Sequence, residues 1–148
     1  MFLKSTKKKL LYRENVCVNC KSQSKEQVIR TIGQMLVNTG YVDESYVEAM
    51  LERERTYPTF MGNGLALPHG VEAAKKDVKH SGIAVMTFPE GIDWSGNKVK
   101  VVIGVAGVGE EHLRILGIVA DKMLDPDAAD KIANADAENV YKILSGEE

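Results

Sequence analysis

A histidine between a proline and a glycine is the first feature of this sequence that could do chemistry. His69 lies in the segment GLALPHG, residues 64–70, where a short apolar run leads into Pro68 and Gly70 follows the imidazole. Proline fixes its own backbone torsion and glycine leaves space beside it, so these neighbours restrict where the ring points. The pattern predicts that a buried strand presents His69 at its end.

Two further histidines differ from His69 in their surroundings. His80 lies in the polar segment KHSG, residues 79–82, and is expected to be exposed. His112 follows the glycine-rich segment GVAGVG, residues 104–109, at the start of an amphipathic stretch. A helix beginning there would offer free backbone N–H groups and the positive end of its dipole to an anion. The glycine spacing matches neither the Walker loop nor the dinucleotide fingerprint.

The motifs in the chain narrow the reaction type. The sequence contains neither the nucleophile elbow G-x-S-x-G nor the zinc motif H-E-x-x-H. Two histidines, arginines and an anion-binding helix start suit phosphoryl transfer onto and off an imidazole. One ring nitrogen of His69 must then be free to attack, so the other must carry the proton and an acceptor must hold it. We expect a shallow site with few cations, since excess positive charge would over-stabilise the phosphorylated state.

Metal binding is the alternative chemistry for these side chains. His69 and His112 could hold an ion in a non-enzymatic binding module, which zinc titration would reveal. Cys17 and Cys20 form the motif C-V-N-C, but a zinc site needs two further ligands and a thioredoxin-type motif starts a helix. The next helix signal begins only at Ser24. The pattern favours two reduced cysteines near a strand end, and no role is assigned to them.

The hydrophobic pattern predicts an α/β domain with three layers, in which helices flank a small mixed sheet on both sides. Ser24 and Gln27 form a capping box for a first helix, and Asp43 is expected to cap a second. Pro126 is expected at the first position of a later helix, after Asp125. Further helices are predicted at residues 110–124 and 136–144, and one or two helical turns at 71–78.

Strands are predicted where apolar residues alternate or form short runs, at residues 16–18, 83–88 and 99–105. Residues 56–63 are predicted to form a loop, and residues 89–91 a turn. The helix at 110–124 is expected to bury one apolar face, formed by Leu113, Leu116, Val119, Ala120 and Met123.

The length and net charge of the chain limit the classes of protein to which it can belong. A chain of 148 residues fits one domain, residues 1–148, and a formal net charge of −2 gives no electrostatic reason to expect a nucleic-acid partner. The lysines at 7–9 are expected to be a solvated face. No apolar run is long enough to span a bilayer, and the start MFLK does not resemble a secretory signal. We therefore expect a cytoplasmic protein without direct membrane insertion.

The sequence resembles a known family over most of its length. GLALPHG is similar to the phosphohistidine motif of the IIA components of the bacterial phosphoenolpyruvate-dependent sugar phosphotransferase system, in the mannitol/fructose class. The segments GYVDESYVEAMLERE, YPTFMGNGLALPHGVEAAKKDV, FPEGIDW, VVIGVAG and EEHLRIL resemble the mannitol-specific branch in the same order. The resemblance extends from about Ser24 to the end of the chain. It implies one EIIA domain and no cofactor.

The resemblance also implies roles for particular residues. His69 matches the family's phosphorylated histidine, which receives phosphate on Nε2 from the small carrier protein HPr. His112 matches a second histidine that stabilises the transferring phosphoryl group. Arg53 matches an arginine near the active site, and Arg55, two residues further along, is the alternative for this position. A rim of exposed apolar residues around His69 would receive the protein partners. The candidates are Phe60, Leu65, Leu67 and Val71, and the alternative for each is a place in the core.

The partners implied are HPr as phosphoryl donor and a IIB component as acceptor, with the membrane-bound IIC component reached through IIB. A chain that stops at Glu148 is expected to be a freestanding IIA protein that meets its partners by collision. The alternative is a regulatory IIA-like domain, whose phosphorylation state controls a target protein. Phosphoryl transfer to a mannitol IIB component would distinguish the two.

Overall fold

Alternating apolar residues form the two long strands at the centre of the sheet. In the computed structural model, which describes residues 8–145, β4 (Gly82–Trp94) pairs antiparallel with β5 (Asn97–Ala106). Ser95 and Gly96 connect these strands in a two-residue turn, and their φ angles are +53° and +90°. A turn with two positive φ angles matches the right-handed twist of the strands that it joins. This hairpin is the centre on which the other elements assemble.

Three short strands complete a mixed sheet. β1 (Val16–Cys17) runs parallel to β4 on one side of the hairpin. On the other side β3 (Leu65–Ala66) runs parallel to β5, and β2 (Phe60–Gly62) pairs antiparallel with β3 at the edge. The strand order is β1-β4-β5-β3-β2. The predicted mixed sheet is therefore confirmed.

Helices cover both faces of this sheet, as the prediction of three α/β/α layers requires. One face packs against α1 (Lys25–Asn38) and α2 (Ser45–Thr56). The opposite face packs against α3 (Glu110–Lys122), α4 (Ala128–Ala133) and α5 (Ala137–Ser145). We call the two resulting hydrophobic cores the α1/α2 core and the α3–α5 core.

Burial on both faces explains the uninterrupted apolar run in β4. Ile83 and Val85 belong to the α3–α5 core, whereas Ala84 and Met86 belong to the α1/α2 core. A strand covered on one face only would instead alternate apolar with polar residues. The prediction of a strand buried on both faces is confirmed.

Two connections differ from the prediction. The prediction of a turn at residues 89–91 is wrong. β4 continues through these residues, with a shift of pairing register between Thr87 and Ile92. Irregularities of this kind bend a strand without ending it. The loop expected at residues 56–63 contains β2, which is too short to show an alternating pattern. The turns predicted at 71–78 form a 3-10 helix, Glu72–Asp77.

The capping box at the start of α1 is confirmed. The Ser24 hydroxyl accepts a hydrogen bond from the Gln27 backbone, and the Gln27 side chain accepts one from the Ser24 backbone. Asp43, in contrast, does not cap α2: its carboxylate lies 3.1 Å from Lys79 Nζ, and α2 begins after Glu44. A surface ion pair with a residue distant in sequence thus replaces the expected local contact.

Pro126 lies outside the helix that it was expected to start. The first residue of α4 is Ala128, and the Asp125 carboxylate accepts a hydrogen bond from the backbone of Asp127 in the preceding turn. The last helix, α5, agrees with the predicted residues to within one position at each end.

The buried face of α3 also differs from the predicted one. Ile115 and Val119 are buried four residues apart on one face of the helix, and Met123, which caps its C-terminal end, is buried at the same spacing. Leu113, which was assigned to the buried face, is 69% exposed, and Ala120 is exposed as well. The start of α3 therefore presents a large apolar side chain to solvent.

At the amino terminus, Lys7 and the segment MFLK lie outside the described residues. Lys9 is exposed as expected. Lys8 is not simply solvated, because its Nζ lies 5.3 Å and 4.9 Å from the ring centroids of Tyr12 and Tyr41. A cation at this distance is attracted by the face of each ring.

We predict that Gly82→Ala destabilises the fold. A Cβ at Gly82 would overlap the ring of Tyr41, which is fully buried. The free energy of unfolding, measured in urea, should fall by roughly 1–3 kcal/mol because a packed core resists added volume. The matched control is Gly117→Ala in α3, where an added Cβ would meet no heavy atom of the described chain within 4 Å. Equal stability of the two variants would contradict the packing argument.

Candidate functional site

The segment after β3 places His69 beside the end of β5. The backbone N–H of Val105 donates to the Pro68 carbonyl at 2.9 Å, and His69 forms a parallel bridge with Val105. The chain thus continues the parallel pairing that begins at β3 and places His69 beside the end of β5. His69 lies at the end of a buried strand, as the sequence predicts.

A hydrogen bond within this segment determines which nitrogen of His69 carries the proton. Nδ1 lies 2.8 Å from the Leu67 carbonyl oxygen. A carbonyl oxygen can only accept, so in the neutral ring Nδ1 is protonated and Nε2 keeps its lone pair. This is the tautomer that attack through Nε2 requires, and the acceptor expected for Nδ1 is the Leu67 backbone.

Gly70 allows Tyr46 of α2 to pack behind the histidine. A Cβ at Gly70 would lie 2.6 Å from Cε1 of the Tyr46 ring. The Tyr46 hydroxyl accepts from the Gly70 N–H at 2.9 Å and donates to the Val105 carbonyl at 3.0 Å, so it joins the histidine segment to β5. The glycine is required for close approach and not for a left-handed backbone. Sequence reasoning missed Tyr46, because a tyrosine on an apolar helix face has the pattern of an ordinary core residue.

His112 faces His69 from the start of α3. The two ring centroids are 5.2 Å apart, and the ring planes meet at 62°. Gly107 makes this position possible, because a Cβ there would lie 2.6 Å from His112 Cα and 3.0 Å from its Nδ1. Nδ1 of His112 is buried and has no hydrogen-bond partner among the described residues. Nε2 is therefore the nitrogen of His112 that a bound group can reach.

The start of α3 is a weaker anion site than predicted. The N–H of Glu111 already donates to the Val108 carbonyl and that of His112 to the Gly109 carbonyl, at 3.1 and 3.2 Å. Glu110 and Glu111 also place carboxylates in the first turn, and their negative charges offset the positive potential of the helix N-terminus. Stabilisation of an anion in this pocket therefore depends mainly on side chains.

The three residues predicted from the sequence line one pocket of about 180 Å³. Arg53, His69 and His112 share it with Glu72 and Lys75. Sequence reasoning missed Glu72 and Lys75, because nothing in a short polar stretch separates a residue at a site from an ordinary solvated one. The pocket thus has two cations, which agrees with the expectation of few.

The two cations of the pocket already have partners. Arg53 Nη1 donates to the Tyr57 carbonyl at 2.7 Å, but a guanidinium has further donors. Lys75 Nζ lies 3.1 Å from the Glu72 carboxylate. Arg55 is exposed and lines a separate depression. Arg53 and Arg55 are the two candidates from the sequence for the arginine of the site, and Arg53 is the one that lies beside the histidines.

A buried carboxylate anchors the end of α2. Glu54 is 4% exposed and accepts hydrogen bonds from the Thr59 backbone at 2.9 Å, the Thr59 hydroxyl at 2.6 Å and Trp94 Nε1 at 3.0 Å. Lys25 Nζ lies 3.6 Å from the same carboxylate. Because three donors and a cation surround it, the buried charge is compensated.

This anchor is connected to the imidazole through the backbone. The Thr59 carbonyl accepts a hydrogen bond from the Leu67 N–H at 3.0 Å, and the Leu67 carbonyl in turn holds Nδ1 of His69. Glu54 also directly follows Arg53 in α2. One buried carboxylate therefore helps to position both the arginine and the histidine of the pocket.

Burial lowers the pKa of both histidines from the usual value of about 6.5. For His69 the positive charge of Arg53 adds to this effect, whereas the contact with Leu67 and the charge of Glu54 oppose it. For His112 the neighbouring His69 and Lys75 both favour the neutral ring. Both imidazoles are therefore mainly neutral at pH 7, and each neutral ring has one nitrogen that donates and one that accepts.

The metal alternative lacks a full ligand set in the part of the chain that the structure describes. Within residues 8–145 no group of three or more His, Cys, Asp or Glu side chains is arranged to hold a metal ion. Zinc sites in proteins have at least three protein ligands, and the histidine pair supplies two.

The apolar rim expected around His69 is partly wrong. Leu65 and Leu67 are 2% and 1% exposed, because their strand is covered by the α3–α5 core. Phe60 and Val71 are half-buried and pack against the α1/α2 core. Exposed apolar side chains occur instead in the segment of the chain that contains His112, where Val108 and Leu113 are 47% and 69% exposed. His80 is exposed, as predicted.

The fold and the pocket define a class of protein, an α/β/α domain that presents a pair of neutral imidazoles beside an arginine and a lysine. Residues 9–147 match the family described as "Phosphoenolpyruvate-dependent sugar phosphotransferase system, EIIA 2". This chain belongs to that family, and the resemblance seen in its sequence is confirmed.

Two mannitol-specific IIA components are similar in sequence to most of this chain. The mannitol-specific phosphotransferase enzyme IIA component of Geobacillus stearothermophilus is 48% identical over 112 residues, 75% of this chain and 77% of the relative. The component of the same name from Halalkalibacterium halodurans is 44% identical over 136 residues, 92% of this chain and 86% of the relative.

Solved structures of the same class superpose closely. The crystal structure of IIA mannitol from Escherichia coli has a TM-score of 0.83 and 33% identity, covering 90% of this chain and 98% of that one. The complex of enzyme IIAMTL and phosphorylated enzyme IIBMTL from Escherichia coli has a TM-score of 0.85 and 32% identity, covering 92% and 97%. Within residues 8–145, none of the helices is both long and apolar enough to cross a membrane.

We predict that Glu54→Gln disturbs the site as well as the fold. The amide would place an NH₂ group among donors, so the free energy of unfolding should fall by roughly 1–3 kcal/mol. The pKa of His69, followed by NMR, should also fall, because the charge of Glu54 raises it. The matched control is Glu52→Gln, an exposed residue of the same helix, which should change neither quantity. An unchanged His69 pKa in Glu54→Gln would contradict the proposed connection.

We predict that His69 and His112 titrate below pH 6.5 in the native protein, measured by NMR against the same chain in urea. A lowered pKa means that the native state binds fewer protons than the unfolded state between the lowered value and about 6.5. These two residues therefore make stability decrease as the pH falls through that interval. Native midpoints at or above those of the unfolded chain would refute this.

Proposed function

We propose that this protein is a phosphocarrier of the sugar phosphotransferase system. It accepts a phosphoryl group from phosphorylated HPr on Nε2 of His69 and passes it to the IIB component of a mannitol transporter. The choice of Nε2 of His69 as the nucleophile rests on the 2.8 Å contact between Nδ1 and the Leu67 carbonyl, because this contact leaves the lone pair on Nε2. Membership of the EIIA 2 family supports the reaction class.

The reaction requires no proton transfer at His69. In the accepting step the Nε2 lone pair forms a bond to phosphorus, while the bond from phosphorus to the donor breaks and the donor keeps its electron pair. Nδ1 keeps its proton and its hydrogen bond to Leu67, which stabilises the positive charge that develops on the ring. In the onward step the nucleophile of IIB attacks phosphorus and Nε2 recovers its lone pair.

Side chains around His69 stabilise the phosphoryl oxygens. Arg53 contributes the guanidinium donors that Tyr57 does not use, and His112 contributes Nε2–H. Lys75 exchanges its partner Glu72 for a phosphoryl oxygen in this scheme. Competition from Glu72 limits the stability of the phosphorylated form, so the group remains transferable.

The proposed phosphocarrier function also implies which proteins are the partners of this chain. Val108 and Leu113 are exposed beside His112, and such side chains are suited to the contact that an incoming protein makes around a reacting group. The mannitol-specific relatives support mannitol as the transported sugar, and the neighbour solved with phosphorylated enzyme IIBMTL supports IIB as the acceptor. We place the protein in the cytoplasm as one domain, connected to the membrane component IIC through IIB.

We predict that the wild-type chain gains one phosphoryl group when it is incubated with phosphoenolpyruvate, enzyme I and HPr. Intact-mass spectrometry should detect one acid-labile group, and His69→Ala should gain none. Purified mannitol IIB should then remove the group from the wild-type chain. A folded wild-type chain that gains no group would refute the proposal, and a phosphorylated chain that does not discharge to IIB would favour the regulatory role.

Matched variants test the supporting residues in the same assay. Arg53→Gln and His112→Ala should each slow phosphorylation by roughly a hundredfold, the usual effect of removing one donor to a transition state. Arg55→Gln, on the same helix outside the pocket, and His80→Ala should leave the rate unchanged. Equal rates for Arg53→Gln and Arg55→Gln would remove Arg53 from the mechanism.

A further inference from the structure

The two cysteines of the chain lie in contact at the end of β1. The Cys20 thiol donates to Cys17 Sγ at a sulfur–sulfur distance of 3.2 Å, and both thiols are free. A disulfide bond measures about 2.05 Å, so small side-chain movements would join the two sulfurs. The chain contains no other cysteine, so these two have no alternative intramolecular partner.

The backbone holds this pair in place. Cys17 pairs with Met86 of β4, and the N–H of Cys20 donates to the Thr87 carbonyl at 2.8 Å. Between them Asn19 adopts a positive φ of +54°, and its N–H donates to the Thr87 hydroxyl at 3.1 Å. Since Thr87 is fully buried, the segment between the cysteines is attached to the rigid centre of the sheet. The approach of the sulfurs is therefore a property of the fold.

The two thiols differ in their accessibility. Cys17 is exposed, whereas Cys20 is half-buried and packs against the α1/α2 core. Burial, followed by the contact with Cys17, raises the pKa of Cys20 to about 12, so this thiol stays protonated in the resting protein. An external reagent thus meets Cys17 first, and Cys20 is positioned to react second.

We propose that Cys17 and Cys20 form a reversible modification site, at which a small-molecule disulfide of the glutathione class oxidises the pair to an intramolecular disulfide. This site does not depend on the proposed phosphocarrier function. The sequence pattern alone favoured two reduced cysteines, and the reduced pair is the starting state of this reaction.

The chemistry is two successive thiol–disulfide exchanges. The Cys17 thiolate attacks one sulfur of the glutathione disulfide, which forms a mixed disulfide and releases one glutathione thiolate. Cys20 then loses its proton to solvent and attacks the Cys17 sulfur, which forms the Cys17–Cys20 bond and releases the second glutathione. Two protein thiols are oxidised and one glutathione disulfide is reduced to two thiols, so the electrons balance.

The pair lies away from the histidine pocket. Thr87 is five residues along β4 from Gly82, the end of the strand at which the sheet approaches His69, so the separation along the strand is about 17 Å. Oxidation can therefore be measured without any phosphoryl donor. Failure of this proposal would leave the phosphocarrier assignment unaffected, and the reverse is also true.

The test equilibrates the full chain with defined ratios of reduced and oxidised glutathione, followed by acid quenching, alkylation with N-ethylmaleimide and intact-mass spectrometry. The expected product takes up no maleimide, has lost two hydrogens relative to the dithiol, and returns to the dithiol with dithiothreitol. Its equilibrium constant should be at least roughly tenfold larger in the native chain than in urea, because only the fold holds the sulfurs together. Equal constants, a lasting glutathione adduct on the wild-type chain or a covalent dimer would overturn the proposal.

Matched single substitutions test the order of the two steps. Cys20→Ser should accumulate one glutathione on Cys17, because the resolving thiol is absent. Cys17→Ser should react more slowly under the same native conditions, since the remaining thiol is half-buried, and the two variants should react at similar rates in urea. Faster native modification of Cys20 than of Cys17 would overturn the assigned order.

Discussion

The antiparallel pairing of β4 with β5 is the contact on which the other elements depend. Both strands are covered by helices on both faces, so each contributes residues to the α1/α2 core and to the α3–α5 core. β1 pairs with β4 and β3 pairs with β5, and β2 joins the edge of the sheet through β3. The end of β5 also determines the site, since Val105 aligns the histidine segment and the next residues lead through Gly107 to His112.

The pocket combines positive charge with neutral imidazoles. Burial and the neighbouring cations lower the pKa of His69 and His112, whereas Glu54 and the Leu67 carbonyl limit this effect at His69. An arginine and a lysine supply charge for an anion, and Glu72 competes for the lysine. A carrier has to bind a phosphoryl group and release it again, and a pocket with partly compensated cations is suited to both steps.

The orientation of His69, the proposed nucleophile, depends on hydrogen bonds made by residues other than the proposed phosphate-binding side chains. The buried Glu54 fixes Thr59, Thr59 fixes the Leu67 backbone, and Leu67 fixes the tautomer of His69. Tyr46 acts from the opposite side by joining Gly70 to β5. A buried carboxylate is costly unless it is fully hydrogen-bonded, and here the same hydrogen bonds that compensate it also position the site.

The sequence by itself determined the three-layer architecture, the long buried strands and the candidate residues His69, His112 and Arg53, because hydrophobic period, capping residues and local motifs are properties of neighbouring residues. It did not reveal β2, the continuation of β4 through residues 89–91 or the exposure of Leu113, since these depend on which surfaces are covered. Only the tertiary structure decided that the two imidazoles meet, that Arg53 rather than Arg55 lies beside them, and that Glu54 and Tyr46 support them. Those contacts join residues far apart in the chain, and no local pattern encodes such distances.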